Sequence, residues 1–81
     1  MEEINIGINI KRIRRWFGMT IPVFAKEVGL SVNTILAYEK GRQYPNLQTL
    51  IKLSNISGFT LDELVFTKVS GGIKPKITQF H

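Results

Sequence analysis

The sequence predicts a small all-α domain of five short helices, on three kinds of observation. Apolar residues recur at spacings of three and four along most of the chain, as they do on one face of a helix. Residues that commonly cap helices precede several of these stretches. Glycines follow the stretches at short intervals, which favours short helices over long ones. With 81 residues, the chain is long enough for one such domain and too short for two.

The first helix is predicted over about residues 5–17. Ile6 and Ile10 begin a helical spacing that continues into a charged segment. Isoleucines also alternate strictly with other residues from position 4 to position 10, which is typical of a strand. The helical pattern covers more residues, and we therefore prefer it.

Two further helices follow in close succession. Thr20 is the predicted N-cap of a second helix that ends at about Val28. Gly29 comes next, at a position that favours a positive φ. Ser31 then caps a third helix of about two and a half turns, which ends at Gly41.

The third helix has two different faces. Ile35 and Tyr38 lie three positions apart and are predicted to share its buried face. Most of the remaining positions are small and uncharged, which suits a helix that enters the major groove of DNA. The residues predicted to read bases are Val32, Asn33, Leu36 and Ala37.

Asn33 is the strongest of these candidates, because an amide offers one donor and one acceptor that match N7 and N6 of adenine. Val32 and Ala37 are expected to touch thymine methyl groups. A local role is the alternative in each case. Asn33 would then bond within the first turn of the helix, and the other two would be plain helix surface.

A polar and basic loop over residues 40–46 follows the third helix and is expected to lie along the DNA backbone. The residues predicted to contact phosphates are Thr34, Lys40, Arg42, Gln43 and Tyr44. Each of these predictions has an alternative. The loop residues Lys40, Arg42 and Gln43 would simply be solvated, Thr34 would serve the start of the third helix, and Tyr44 would pack on Pro45. The weaker candidates are Asn9, Arg12 and Lys26.

The last two helices are predicted from caps and apolar spacing. Asn46 caps a fourth helix that ends at residues 57–58. Thr60 and Glu63 form a capping box that opens a short fifth helix. The predicted helical stripe of the fourth helix is Leu47, Leu50, Leu53 and Ile51, and the fifth helix carries the apolar residues Leu61, Leu64 and Val65.

Residues 67–81 are predicted to form a tail separate from the helical domain of residues 1–66. The tail contains Lys68, Lys74 and Lys76 and no acidic residue. It is predicted either to be flexible or to form a small hairpin about the Gly-Gly pair at positions 71 and 72.

The formal net charge is +5, and residues 11–42 carry a local excess of five positive charges. A basic centre with acidic residues near both ends favours a polyanionic partner, nucleic acid first. The alternative is that the charge serves solubility alone.

Several classes of function are disfavoured by composition. The absence of cysteine excludes disulfides and thiolate zinc sites and is typical of a reducing cytoplasm. No apolar run approaches a membrane span, and the start of the chain has the wrong charge for a secretory signal. The only histidine is the last residue, so no histidine is placed to act as a general base. We expect a cytoplasmic protein that is not an enzyme and has no metal, no cofactor and no small-molecule effector.

Several short motifs occur in a fixed order over residues 6–66. They include Gly18-Met19-Thr20, Phe24-Ala25-Lys26-Glu27-Val28-Gly29, Tyr38-Glu39-Lys40-Gly41 and Pro45-Asn46-Leu47. Each motif alone is weak, but together, at these spacings, they resemble the helix-turn-helix domains of the phage repressor and Cro (Xre-like) type. The resemblance implies a compact five-helix fold and sequence-specific binding to double-stranded DNA, usually as a homodimer.

The resemblance also implies a structural ion pair between Arg14 and Glu39, which would tie the first helix to the end of the recognition helix. The chain departs from the family in two respects. Ile21 stands where the family commonly has a phosphate-contacting glutamine, so this contact is expected to be absent. The recognition helix is also unusually apolar.

The expected function is therefore a transcriptional regulator, a repressor that binds a two-fold symmetric operator as a homodimer. A restriction-modification controller and an autoregulating antitoxin are alternatives within DNA binding. A protein-interaction module that keeps the fold is the alternative from another class. The predicted dimer surface consists of Phe59, Val65, Phe66 and the tail.

Overall fold

The computed structural model describes residues 4–66, and within this range it contains five helices and no strand. The helices are α1 (Ile6–Trp16), α2 (Ile21–Val28), α3 (Val32–Glu39), α4 (Leu47–Ser57) and α5 (Leu61–Phe66). The predicted all-α class and the count of five helices are confirmed. The tail and its possible hairpin lie outside the described residues.

Local signals at the helix starts act as predicted. The side chains of Thr20, Ser31 and Asn46 each accept a hydrogen bond from the backbone N–H three residues later, at 3.4, 3.1 and 2.9 Å. Each bond satisfies a donor that has no partner inside its helix. The capping box is also present. The Thr60 hydroxyl accepts from the Glu63 N–H at 3.1 Å, and the Glu63 carboxylate accepts from the Thr60 N–H at 2.9 Å.

A single apolar core joins the helices. α1 packs against α3 and against α5, α2 packs against α3, and α4 packs against α5. The isoleucines at the start of the chain lie in the helix α1, so the helix predicted from their spacing of three and four residues is correct and the strand suggested by their alternation is not formed. The buried apolar residues are Ile6, Ile10, Ile13, Phe24, Ala25, Val28, Ile35, Tyr38, Leu53, Phe59 and Leu64.

Two buried asparagines attach α1 to the end of α5. The Asn5 amide nitrogen donates to the Phe66 carbonyl at 2.8 Å, and the Asn9 amide nitrogen donates to the Leu64 carbonyl at 2.7 Å. These carbonyls are among those that a helix leaves unsatisfied at its C-terminal end. Asn9 is fully buried, so its prediction as a phosphate contact is wrong.

The predicted stripe of α4 is wrong for two of its residues. Leu53 is buried, but Leu47 and Ile51 are 63% and 45% exposed. The reason is that the apolar positions of α4 form a band wider than the face that α5 and the core cover. Phe59, predicted for a dimer surface, is instead 1% exposed and belongs to the core. Of the apolar residues of α5, Leu64 is buried and Leu61 is 37% exposed.

Candidate nucleic-acid interface

A tight turn joins α2 to α3. Gly29 ends α2 in the left-handed conformation, with φ 73°, which a residue with a Cβ adopts only with strain. The Leu30 N–H donates to the Ala25 carbonyl at 2.9 Å, as in a helix-ending motif. Ser31 caps α3 directly afterwards. The two helices therefore form a helix-turn-helix unit.

The orientation of α3 is set by its buried face. Ile35 and Tyr38 are 1% and 4% exposed and belong to the core, as predicted. Because they are three residues apart, they lie on the same side of the helix. The opposite side of α3 therefore faces away from the protein.

The predicted base-reading residues differ in exposure. Val32 is 39% exposed and Asn33 is also exposed, and both lie in the first turn of α3. Leu36 and Ala37 are half-buried. Since positions three and four apart share a helix face, Asn33 lies on the same side as these two residues. The first turn thus offers the most accessible side chains of the helix. The second turn adds the half-buried apolar side chains of Leu36 and Ala37 beside them.

Thr34 has a local partner. Its hydroxyl lies 2.8 Å from the Ser31 hydroxyl, and its backbone N–H donates to the same Ser31 oxygen at 3.1 Å. Thr34 is also half-buried. Its hydroxyl therefore takes part in the start of α3, which is the alternative that the sequence leaves open for it.

The loop after α3 is exposed along most of its length. The Arg42 N–H donates to the Ala37 carbonyl at 2.9 Å, which holds the beginning of the loop against the end of α3. Pro45 is buried and holds its other end. Between these points the side chains that were predicted to contact phosphates reach solvent. They are Lys40, Arg42, Gln43 and Tyr44.

A buried ion pair holds the C-terminal end of α3. Arg14 Nε lies 2.8 Å from Glu39 Oε2, and Arg14 Nη2 lies 3.1 Å from Glu39 Oε1. Arg14 Nη1 also donates to the Met19 carbonyl at 2.8 Å. The two side chains are only 10% and 6% exposed. A planar guanidinium and a carboxylate that meet in this two-bond geometry constrain both distance and angle between α1 and α3.

Gly7 is a contributor to this contact that the sequence analysis missed. A Cβ at this position would overlap the Tyr38 carbonyl oxygen and would lie 3.5 Å from the Glu39 carbonyl oxygen. The absence of a side chain therefore lets α1 approach the last turn of α3. An isolated glycine inside a helical pattern was the available signal, because such a residue commonly has a packing reason.

Residues 4–66 contain neither a metal-binding cluster nor a membrane-spanning helix. No three His, Cys, Asp or Glu side chains in this range are grouped so that they could hold a metal ion. None of the five helices combines the length and the hydropathy that crossing a bilayer requires.

Known proteins share this arrangement. The helix-turn-helix family matches residues 10–64. The cryptic phage CTXphi transcriptional repressor RstR of Vibrio cholerae is 43% identical over an alignment of 56 residues, which covers 65% of this chain and 50% of that protein. This chain therefore spans about half the length of that relative. An uncharacterized HTH-type transcriptional regulator of Archaeoglobus fulgidus is 33% identical over 55 residues, which make up 68% of this chain and 79% of that protein.

A solved structure agrees with the fold. The crystal structure of a transcriptional regulator from Listeria innocua superposes with a TM-score of 0.72 at 24% identity, over 78% of this chain and 59% of that one. At this identity the likeness concerns the fold alone. The family match covers well over half of the residues and includes both helices of the unit, α2 and α3. The chain belongs to the helix-turn-helix family, in the Xre-like branch of the phage repressor and Cro type.

Proposed function

We propose that this chain is a sequence-specific DNA-binding repressor of transcription that acts as a homodimer on a two-fold symmetric operator. One observation carries the proposal. The first turn of α3 projects Val32 and Asn33 into solvent, and the loop that follows the other end of the helix exposes the cations Lys40 and Arg42. A helix with an exposed first turn, followed by an exposed basic loop, can enter a major groove while the loop holds flanking phosphates.

The proposed contacts divide into two groups. The residues that face the bases are Val32, Asn33, Leu36 and Ala37. The residues that lie along the phosphates are Lys40, Arg42, Gln43 and Tyr44, whereas the Thr34 hydroxyl is engaged by Ser31. Among these four residues only Asn33 has a side chain that can hydrogen-bond to a base, so it supplies the specific hydrogen bonds. Apolar contact of the other residues with thymine methyl groups supplies much of the rest.

The repressor role rests on the relatives. The Vibrio cholerae protein is a phage transcriptional repressor, and its similarity covers most of the helical domain. In a homodimer the two α3 helices would lie about 34 Å apart, one helical turn of DNA, which requires an operator with two-fold symmetry.

Selection from a pool of random DNA duplexes tests the proposal. We expect enrichment of a palindromic sequence, with affinity that falls steeply as salt rises because phosphate contacts release counterions. If no sequence is enriched and binding does not depend on salt, the chain is a protein-interaction module that keeps the fold.

Asn33→Ala tests direct readout. We expect the variant to bind the selected operator about 1–3 kcal/mol more weakly and to discriminate less at one base pair of each half-site. Its affinity for random DNA should stay close to that of the parent, because phosphate contacts are untouched. Competition binding with single-base operator variants measures both effects. An equal loss on operator and on random DNA would show that Asn33 does not read a base.

A further inference from the structure

Four exposed residues form a stripe along the outer side of α1. Ile4, just before the helix, and Ile8 are 51% and 47% exposed, and Lys11 and Arg15 are exposed as well. Steps of four, three and four residues place their side chains on one side of the helix, opposite the buried isoleucines. We call these four residues the α1 stripe. It runs for roughly 16 Å, at about 1.5 Å per residue.

The two cations of the α1 stripe are not neutralised within the part of the chain that the structure describes. α1 itself contains no acidic residue. Neither Lys11 nor Arg15 makes an ion pair with any of residues 4–66. Glu39, on the neighbouring helix α3, is paired with Arg14 instead. The stripe therefore combines two exposed apolar side chains with two positive charges that are open to a partner.

DNA matches only part of the α1 stripe. The DNA interface that we propose uses α3 and the loop over residues 40–46, and the stripe lies on another helix. A DNA backbone would neutralise Lys11 and Arg15, but phosphates and sugars offer little apolar surface to Ile4 and Ile8. An occupant that matches the whole stripe carries carboxylates and apolar side chains together.

Other segments of the same chain match the α1 stripe poorly. A second copy would bring two further cations to it, and residues 67–81 contain three lysines and no acidic residue. Like charges placed opposite each other cost free energy. Residues 1–3 include two glutamates, but three residues span at most about 11 Å, which is less than the length of the stripe. The complementary charge must therefore come from another protein.

We propose that the α1 stripe is the docking site for an acidic, amphipathic helical segment of another protein. Apolar side chains of this segment pack on Ile4 and Ile8, and its carboxylates form ion pairs with Lys11 and Arg15. The guanidinium of Arg15 can hold a carboxylate through two parallel hydrogen bonds, which fixes the direction of the segment. About three helical turns match the length of the stripe. Docking here requires no DNA and is therefore independent of the proposed function.

Selection of displayed random peptides, with the full chain as bait, tests the proposal. Peptides of about 16 residues are long enough for four helical turns. We expect enrichment of sequences in which aspartate or glutamate recurs with leucine or phenylalanine at helical spacing. Binding of the selected peptides should weaken as salt rises, because exposed ion pairs are screened.

Lys11→Glu/Arg15→Glu tests the charged half of the α1 stripe. Because two attractions become repulsions, we expect the variant to bind the selected peptides about 10-fold more weakly. The matched control is Lys26→Glu/Lys52→Glu, which changes the net charge equally at exposed positions of α2 and α4. The control should bind within about twofold of the parent, because its charges lie elsewhere. Circular dichroism checks that both variants are folded.

Ile8→Ser tests the apolar half of the α1 stripe. It is expected to weaken binding of the selected peptides about 5-fold, because less apolar surface is removed from water. Ile51→Ser is the matched control, since Ile51 is 45% exposed on α4, and it should bind as the parent does. Equal weakening by the two substitutions would overturn the proposal.

The remaining outcomes separate the α1 stripe from the proposed function. A selection without acidic peptides, or binding that survives Lys11→Glu/Arg15→Glu, would overturn the proposal. If in that case Lys11→Gln/Arg15→Gln lowers the salt dependence of DNA binding by about two phosphate contacts, the stripe binds DNA instead. If the same variant loses binding to phosphatidylserine vesicles that the parent retains, the stripe binds a membrane surface instead. A parent that selects acidic peptides but no DNA sequence would overturn the proposed function alone.

Discussion

Arg14→Met is expected to lower the free energy of unfolding by about 3–5 kcal/mol, because it leaves the Glu39 carboxylate buried without its partner. In the parent the two side chains form two hydrogen bonds, of 2.8 and 3.1 Å, and are almost fully removed from solvent. The substitution also leaves the Met19 carbonyl without the donor that reaches it at 2.8 Å. Chemical denaturation followed by circular dichroism measures the change.

Arg15→Met is the matched control for this experiment. Arg15 is the neighbouring arginine in α1, is exposed, and makes no ion pair within the described residues. Its replacement is expected to change stability by no more than about 0.5 kcal/mol. Replacement of both partners, Arg14→Met with Glu39→Met, should recover much of the loss because no charge is then left unpaired. If Arg14→Met has the same free energy of unfolding as the parent in chemical denaturation, the buried pair does not stabilise the fold.

Gly7→Ala is expected to destabilise the protein by about 1–3 kcal/mol through overpacking. The sign of this change in the free energy of unfolding is informative. Alanine is intrinsically the better helix former, and the same substitution in an uncrowded helix would stabilise the helix by about 0.5–1 kcal/mol. Here the new Cβ would overlap the Tyr38 carbonyl oxygen, which is backbone and is held in the last turn of α3. Urea denaturation measures the change.

Ile8→Ala provides the control for Gly7→Ala. Ile8 is the next residue of α1 and is 47% exposed, so its truncation is expected to have a small effect. The Gly7 variant should also bind the selected operator more weakly under conditions in which it is fully folded, because α3 must shift. A Gly7→Ala protein that is more stable than the parent would show that α1 and α3 are not in close contact.

Gly7 and Arg14 together fix the orientation of α3 relative to α1. Gly7 and Arg14 both act on the last turn of α3, at Tyr38 and Glu39. The first turn of α3, where Val32 and Asn33 are exposed, lies at the other end of the helix. α1 thus fixes the direction of α3 without covering the side chains that we propose read DNA.

The helix caps and the buried face of α3 could be predicted from the sequence, because they depend on residues that are close together in the chain. The caps at Thr20, Ser31 and Asn46 each bond to a donor three residues away. Such bonds depend on a few neighbouring residues and therefore leave a readable pattern. The buried pair Ile35 and Tyr38 was readable for the same reason, since the period of the helix sets which residues share a face.

The rest depended on contacts between distant parts of the chain. Asn9 has the polarity of a surface residue, and its bond to the Leu64 carbonyl, 55 residues away, makes it a buried link between α1 and α5. Leu47 and Ile51 follow the same periodicity as core residues, yet no described helix covers them. Periodicity tells which residues share a face, but it does not tell whether another element lies against that face.

The sequence by itself determined the five helices, their caps, the family and the position of the recognition helix within the chain. The tertiary structure decided how that helix is held, which polar residues are buried and which apolar residues remain exposed. The physical reason is the separation along the chain between the residues that interact. Helix starts and helix faces are encoded by residues within one or two turns. The close approach at Gly7, the links made by the two asparagines and the exposure of Leu47 and Ile51 are decided only when segments up to 61 residues apart pack together.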